Sequence, residues 1–379
     1  MVKISDFEKI YNDRHSLAWQ WKKEGKKIFG YIYSLMPEEI LYAGGIIPVQ
    51  LTESEDTEDL RMGKVYTPET FCDYSLSLAG QGIAGVYEYL DGVIFNDACS
   101  QTKTACEVWA EKCKPLPPFF DFMMHPDQQD EGSIKFYIAS IDDLRKRVGK
   151  FIGKDITDDD IRNAVEVYNE NRRLVKNLYE MRLVDNPPIL GSQVFSVMKA
   201  GLVMPKDLHN KMLAELLEEI PKWDPPQKEK RPRIMAWSHI FEECAGKTFP
   251  NFIQMIEEMG ADVVHDELCQ GARYYDGEVV VKPNILEALA ERYLGNVPHS
   301  TKYTTKERIQ NIDEINTKYR LDGIIFFLTK YCQPDWFQQF LIEKAMKEKD
   351  IPFMTVETVA GMPKASVRTR LEAFIEMIK

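Results

Sequence analysis

Two cysteines of this chain stand in near-identical surroundings. One follows the run Leu90-Asp91-Gly92-Val93-Ile94-Phe95 and is Cys99; the other follows Leu321-Asp322-Gly323-Ile324-Ile325-Phe326 and is Cys332. Each run is short, opens on an Asp-Gly turn signal and is rich in β-branched and aromatic residues, so it reads as a buried parallel strand. Each cysteine then falls just past the carboxyl end of a strand, at the mouth of the next helix, where open α/β sheets bind ligands. Soft thiolates delivered there by two related halves point to a shared metal cluster.

The other cysteines separate by position. Cys99, Cys106 and Cys113 recur every seven residues. On a helix they share a face but are ~10.5 Å apart, so one helix offers a single thiol to a compact cluster. The amino-terminal one is best placed, because free backbone N–H groups and the helix dipole favour a thiolate there. Cys106 and Cys113 therefore read as packing residues. Cys332 has the same setting as Cys99, with Pro334 at the first helical position and Asp335 in the first turn. Cys72, in Thr70-Phe71-Cys72-Asp73-Tyr74, sits in a loop or at a helix start, and the pattern alone leaves its role open. Cys244 and Cys269 read as core or surface thiols, and His125 and His265 as structural or rim residues.

Absent motifs narrow the chemistry. Ala245-Gly246-Lys247-Thr248 is too short a fragment for a P-loop, and Gly80-Gln81-Gly82 with Gly85 lacks the preceding strand of a dinucleotide fingerprint. There is no Gly-x-Ser-x-Gly elbow. No Cys-x-x-Cys pair is present, which disfavours zinc ribbons and ferredoxin-type clusters.

The elements that carry the cysteines repeat as well. A strand through Ile28–Tyr33 ends at Ser34; a short helix after Pro37, the pair Gly44-Gly45 and a strand through Ile47 and Val49 follow. The later half runs Arg233–Trp237, Ser238, a helix to Met259, Gly260 and the strand Asp262-Val263-Val264. After each cysteine come a helix and another strand, at 118–122 and 352–356, then a helix entered through Ala139-Ser140 or Ala365-Ser366 with the serine as N-cap. Such alternation predicts an α/β protein of two flavodoxin-like, doubly wound parallel-sheet domains, 1–153 and 226–379. Between them, 154–225 reads as all-helical: Thr157 caps a helix whose face is Ile161, Ala164, Val165, Tyr168, Val175, Leu178 and Tyr179. The Pro- and Lys-rich run 221–232 is a linker.

With 379 residues, 44% apolar and 28% charged, the composition is that of a globular chain of several domains. The net charge of −12 argues against nucleic acid or an anionic membrane as partner. Neither a signal-peptide core nor a membrane-length apolar run is found, so a cytoplasmic location is expected. An odd number of cysteines in such a chain reads as thiols or metal ligands rather than a disulfide framework.

These residues together resemble the 2-hydroxyacyl-CoA dehydratase and benzoyl-CoA reductase family, over nearly the whole length. The resemblance is carried by Met36-Pro37-Glu38-Glu39-Ile40, Ala43-Gly44-Gly45-Ile46-Ile47-Pro48-Val49 and the Leu-Asp-Gly strand into Cys99. Val167-Tyr168-Asn169-Glu170-Asn171-Arg172, Lys330-Tyr331-Cys332-Gln333-Pro334 and the closing Arg368-Thr369-Arg370-Leu371-Glu372-Ala373-Phe374 also fit. The resemblance implies a [4Fe-4S] cluster held by three cysteines, Cys72, Cys99 and Cys332, with one open or exogenous position. It also implies a homologous cluster-bearing partner subunit, an ATP-hydrolysing iron–sulfur activator and an acyl-CoA substrate reduced through a ketyl-type radical. Ser34, at the strand end, would hydrogen-bond near the open iron or the thioester oxygen, though its place also fits a helix N-cap; Ser238 is its counterpart. Glu39 reads as a helix-start residue. Where the family shows Cys-Asp and Cys-Asp-Pro, this chain has Cys99-Ser100 and Cys332-Gln333, which spares the thiols but removes carboxylates. The leading expectation is the smaller cluster-bearing subunit of a benzoyl-CoA reductase, supported by that change and by Leu178-Tyr179-Glu180-Met181-Arg182. The alternatives are a 2-hydroxyacyl-CoA dehydratase β subunit, an electron-relay subunit and a double-cubane cluster protein.

Overall fold

The computed structural model describes residues 2–54, 56–227, 229–238, 252–295, 299–301, 305–359 and 364–379. Two four-stranded parallel sheets organise them. The first has the order β2-β1-β3-β4, with β1 Lys27–Tyr31, β2 Ile46–Gln50, β3 Gly92–Asn96 and β4 Phe119–Met123. The second repeats it as β6-β5-β7-β8, with β5 Arg233–Trp237, β6 Asp262–Glu267, β7 Gly323–Thr329 and β8 Phe353–Thr358. The expected pair of flavodoxin-like sheets is what the chain forms. In each, the order reverses between the first and third strands, so the crevice opens beyond the ends of β1 and β3, or of β5 and β7.

The Leu-Asp-Gly repeat has a structural reason. Asp91 accepts the Ile28 N–H on Oδ2 at 3.1 Å, and its own N–H donates to Ile28 O at 2.8 Å. Asp322 does the same to Arg233, at 2.8 Å in both directions. The aspartate thus sets the register of the third strand against the first. The glycine that follows leaves room: a Cβ on Gly92 would lie 2.6 Å from the Phe29 ring, its neighbour on β1. β3 and β5 are buried at every position, as strands covered on both faces must be.

The middle of the chain is helical, at Asp158–Glu180, Gly191–Gly201 and Lys206–Glu219. Thr157 caps the first of these, its Oγ1 accepting the Asp160 N–H at 3.1 Å, and the expected face from Ile161 to Tyr179 is buried. The N-terminal helix Ile4–Asn12 packs into the same core through Phe7 and Tyr11. One feature breaks the simple repeat: helix Ile285–Gly295, between β6 and β7, lies over the first sheet and shares a core with Phe29, Ile94 and Tyr137.

Two expected caps are corrected. Ser140 is not an N-cap; the helix Glu131–Ile152 is capped by Asp130, whose Oδ1 accepts the Ser133 N–H at 2.9 Å, and Ser140 donates inside it to Phe136 O. Ser366 likewise lies within the helix Lys364–Met377. At Glu131–Ile152 the Asp130 carboxylate gives charge-assisted acceptance at the true start, which leaves the partly exposed Ser140 inside the helix. Gly80, Gly82 and Gly85 belong to the helix Asp73–Ala84 and its left-handed C-cap, not to a phosphate loop.

Candidate functional site

All three expected cysteines are helix N-caps. Cys72 caps Asp73–Ala84, Cys99 caps Ser100–Lys112 and Cys332 caps Gln333–Glu348. Each sulfur faces the side chain three residues on: Cys72 Sγ donates to Ser75 Oγ at 3.4 Å, Cys99 Sγ lies 3.6 Å from Thr102 Oγ1, and Cys332 Sγ donates to Asp335 Oδ2 at 3.9 Å. Cys99 completes a capping box with sulfur in the serine position, Thr102 Oγ1 accepting the Cys99 N–H at 3.4 Å.

The three thiols line one small pocket, together with Tyr33, Glu53, Tyr74, Gln101, Thr329, Gln333 and Pro334. Cys99 and Cys332 reach it from the two switch points, which face each other. Gln101 holds this junction closed: its Oε1 accepts the Cys72 N–H at 2.8 Å and its Nε2 donates to Tyr331 O at 2.9 Å. Tyr33 and Tyr331 both sit in left-handed backbone (φ 55° and 66°), a strain that bulky residues carry only where the surroundings impose it.

The electrostatics fit a cationic guest. Burial, then the proximity of Cys99, pushes the Cys72 thiol up to about 12. Burial, then Asp335 and the other two cysteines, holds the Cys332 thiol well above its ordinary range. Burial and the same three cysteines keep the Tyr33 hydroxyl protonated. Cys72 and Cys332, buried thiols that resist ionisation, become thiolates only against compensating positive charge. Among the described residues, no three His, Cys, Asp or Glu side chains are grouped to hold a single metal ion. Thiols spread around a cavity instead suit a polynuclear cluster, in which each iron takes its own cysteine. The donor set therefore fits the iron–sulfur group that the sequence implied.

The remaining cysteines do not join them. Cys106 lies in the first-half core beside Trp109, and Cys113 ends the same helix. Cys269 is buried against His299 Nε2 at 2.8 Å, and Cys244 falls outside the described residues. Ser34 is half-buried in the turn after Tyr33 and is not among the cavity-lining residues. The N-cap of the helix Glu39–Ala43 is Glu38, so Ser34 does not cap it. Ser238 donates to Phe327 O at 2.8 Å and is spent on the backbone of β7. His125 packs edge-on against Tyr137 and His265 stacks on Tyr319, as structural histidines do.

Sequence reasoning missed Tyr33, Glu53, Tyr74 and Gln101. The cysteine-to-third-residue pattern (Ser75, Thr102, Asp335) was available and would have placed all three cysteines at helix starts. Gln101 carried no such signal, because its partner Tyr331 is 230 residues away. Glu39 does begin its helix, but it is also fully buried: Arg172 Nη2 donates to it at 2.6 Å and the Tyr293 hydroxyl at 2.7 Å. Glu38 beside it accepts from Tyr168 at 3.2 Å and from Tyr274. This cluster joins the first half, the middle helices and the second half. The run Leu178–Arg182 is structural as well, since Tyr179 donates to Asp266 and Arg182 to Val263 O. It therefore carries no information about the reaction.

The sequence pattern of the family described as "2-hydroxyglutaryl-CoA dehydratase, D-component" matches residues 33–378. The chain is similar to a benzoyl-CoA reductase subunit of Thauera aromatica, at 25% identity over 99% of this chain and 98% of the relative. It is similar to the (R)-phenyllactyl-CoA dehydratase beta subunit of Clostridium sporogenes, at 26% over 99% and 100%. The beta subunit of the (R)-2-hydroxyglutaryl-CoA dehydratase of Acidaminococcus fermentans is 22% identical over 99% and 98%.

Proposed function

This chain is a member of the 2-hydroxyglutaryl-CoA dehydratase D-component family and thus an enzyme subunit, and from that premise we propose that it is the cluster-bearing subunit of a benzoyl-CoA reductase core. The observation that carries the reading is the single cavity lined by three helix-capping cysteines between two switch points. A [4Fe-4S] cluster held by Cys72, Cys99 and Cys332 would supply single electrons at low potential to a thioester carbonyl. The chain's own residues prepare that place. The helix N-termini under each sulfur stabilise negative charge. Gln101 keeps the two halves in register across the cavity. Tyr33 and Tyr74, with ring centroids 5.3 Å apart, line it with apolar surface and exclude water. Such a wall suits an aromatic acyl group, and two of the relatives are named for benzoyl- and phenyllactyl-CoA. Three protein ligands would leave one iron open to substrate or solvent. Ser34, one residue from Tyr33, is the proposed hydrogen-bond donor to the thioester oxygen.

A homologous cluster-bearing subunit and an ATP-hydrolysing iron–sulfur activator complete the proposed system. The relatives are named as subunits, which supports a partner chain. An exposed apolar face (Trp336, Phe337, Phe340 and Leu341) on the helix that Cys332 caps also supports one. Among the described residues no helix is long and apolar enough to cross a membrane.

A second reading, the β subunit of a 2-hydroxyacyl-CoA dehydratase, is favoured by the 26% identity to the phenyllactyl-CoA enzyme over its full length. Anaerobic assay of the chain with its partner and activator separates the two. ATP-dependent reduction of benzoyl-CoA is the expected result. Dehydration of an aromatic 2-hydroxyacyl-CoA without ring reduction would establish the second reading, and turnover of neither would overturn both.

A further inference from the structure

Behind Cys332 the second half carries a buried carboxylate facing a buried guanidinium. Asp335 is the third residue of the helix that Cys332 caps and is 1% exposed. Its Oδ2 accepts the Cys332 thiol at 3.9 Å, while its Oδ1 faces Arg308 Nη2 at 3.5 Å. Arg308 is itself buried, with its guanidinium 4.7 Å from the centre of the Trp237 ring and its Nη1 donating to Gln338. Nε and Nη2 of Arg308 and Oδ1 of Asp335 make no hydrogen bond. The carboxylate is therefore divided between two neighbours, a thiol proton on one side and a guanidinium not fully engaged on the other.

Binding a metal through Cys332 changes that balance. The sulfur gives up its proton, so Oδ2 loses its donor and faces a like charge. Arg308, the cation paired with the carboxylate, then compensates it, with Arg273 a further buried positive charge acting on Asp335. A buried anion beside a thiolate ligand disfavours adding an electron to the centre, and a buried cation offsets it.

We propose that the Arg308–Asp335 pair is a positioning element that sets the charge around Cys332, and with it the reduction potential of the centre bound there. The inference rests on the cluster reading above. It goes further in naming two residues outside the cavity lining and a direction for each.

The test is a redox titration, followed by electron paramagnetic resonance, of the anaerobically purified full-length chain and two variants with their iron contents measured. Asp335→Asn removes the anion and is expected to raise the midpoint by at least tenfold in the one-electron equilibrium, 59 mV. Arg308→Met leaves the anion uncompensated and is expected to lower it by a comparable amount. The double variant Arg308→Met/Asp335→Leu returns towards wild type. Midpoints that stay unchanged, or that move in the same direction, at wild-type iron content overturn the proposal. If Arg308→Met does not fold, Asp335→Asn decides alone: an upward shift supports the proposal and an unmoved midpoint overturns it. A wild-type chain without iron overturns the cluster reading and this inference together, whereas a loaded wild type with unmoved midpoints overturns this inference alone.

Discussion

The two sides of the thiol cavity are built on the same backbone plan and differ in what stands behind the sulfur. On the first-half side, Cys72 and Cys99 meet the hydroxyls of Ser75 and Thr102, and the amide of Gln101 closes the junction. On the second-half side, Cys332 meets a carboxylate backed by Arg308, with Glu267 paired to Arg273 at 3.0 Å nearby. The first half also buries charge: Glu53 lines the cavity, and Glu38 and Glu39 lie beyond the end of β1, matched by groups of the middle helices and the second half. Duplication preserved the strand order, the Asp-Gly register device and the capping cysteine. Ion pairing was free to diverge: a buried pair, Arg308–Asp335, stands behind the thiol in one half, and in the other Arg172–Glu39 stands at the seam between halves. The Arg172–Glu39 pair should therefore govern stability, and the Arg308–Asp335 pair should govern the bound centre.

The largest effect should come from the element common to both sides. Cys332→Ala or Cys99→Ala is expected to abolish most of the bound iron, measured as iron and acid-labile sulfide after anaerobic purification. Retention of the full complement in either variant would dissolve the shared site and the comparison with it.

Charge at the seam comes next. Glu39→Gln strands Arg172 in the interior, and breaking a buried pair in this way costs about 3–5 kcal/mol in a urea melt. Iron content and midpoint should stay as in wild type, the reverse of the pattern expected for Asp335. Burial raises the Glu39 carboxyl, but Arg172, Arg292 and Tyr293 outweigh it and leave it below its ordinary range. A depressed carboxyl contributes stability above its unfolded value and loses it as pH falls through the folded one. The gap between wild type and Glu39→Gln should accordingly be full at neutral pH and close on acidification below about 4.5. A gap that widens in acid would contradict the assignment.

Gln101→Ala should be milder. It leaves the buried Cys72 N–H and the Tyr331 carbonyl without their partner, a loss of about 1–3 kcal/mol. Because Gln101 bridges the halves, the loss should be larger in the metal-free chain than in the loaded one, where the cluster supplies a second tie. Equal losses in both forms would mean that Gln101 does not share the junction with the metal. Ser140→Ala, a mid-helix surface change, should move stability by no more than about 0.5 kcal/mol. A cap-sized loss there would reinstate Ser140 as the helix start.

Much of this was legible in the sequence, for local reasons. The strands announced themselves because a strand covered on both faces must be apolar throughout, and Val93-Ile94-Phe95 and Ile324-Ile325-Phe326 are. The cysteines lay at helix mouths because a strand of that length can only hand over to a helix there. The partners of the site were not legible in the same way. Glu39 and Tyr293 are 254 residues apart, and Gln101 and Tyr331 are 230 apart, so neither pair leaves a local trace. Helix Ile285–Gly295 looked like part of the second half and covers the first sheet instead. Its residues show an apolar face but not which sheet receives it. Ser140 misled because a small polar residue after alanine resembles a cap even when the true cap, here Asp130, is nearly three turns upstream.

The central claim is that one cavity takes a thiolate from each half and a third from Cys72. Iron and acid-labile sulfide in the anaerobically purified full-length chain, measured beside the Cys72→Ala/Cys99→Ala/Cys332→Ala variant, test it most directly. The account expects about four irons and four sulfides per wild-type chain and almost none in the variant. Fewer than about two irons in wild type, or the same content in the variant, would contradict it.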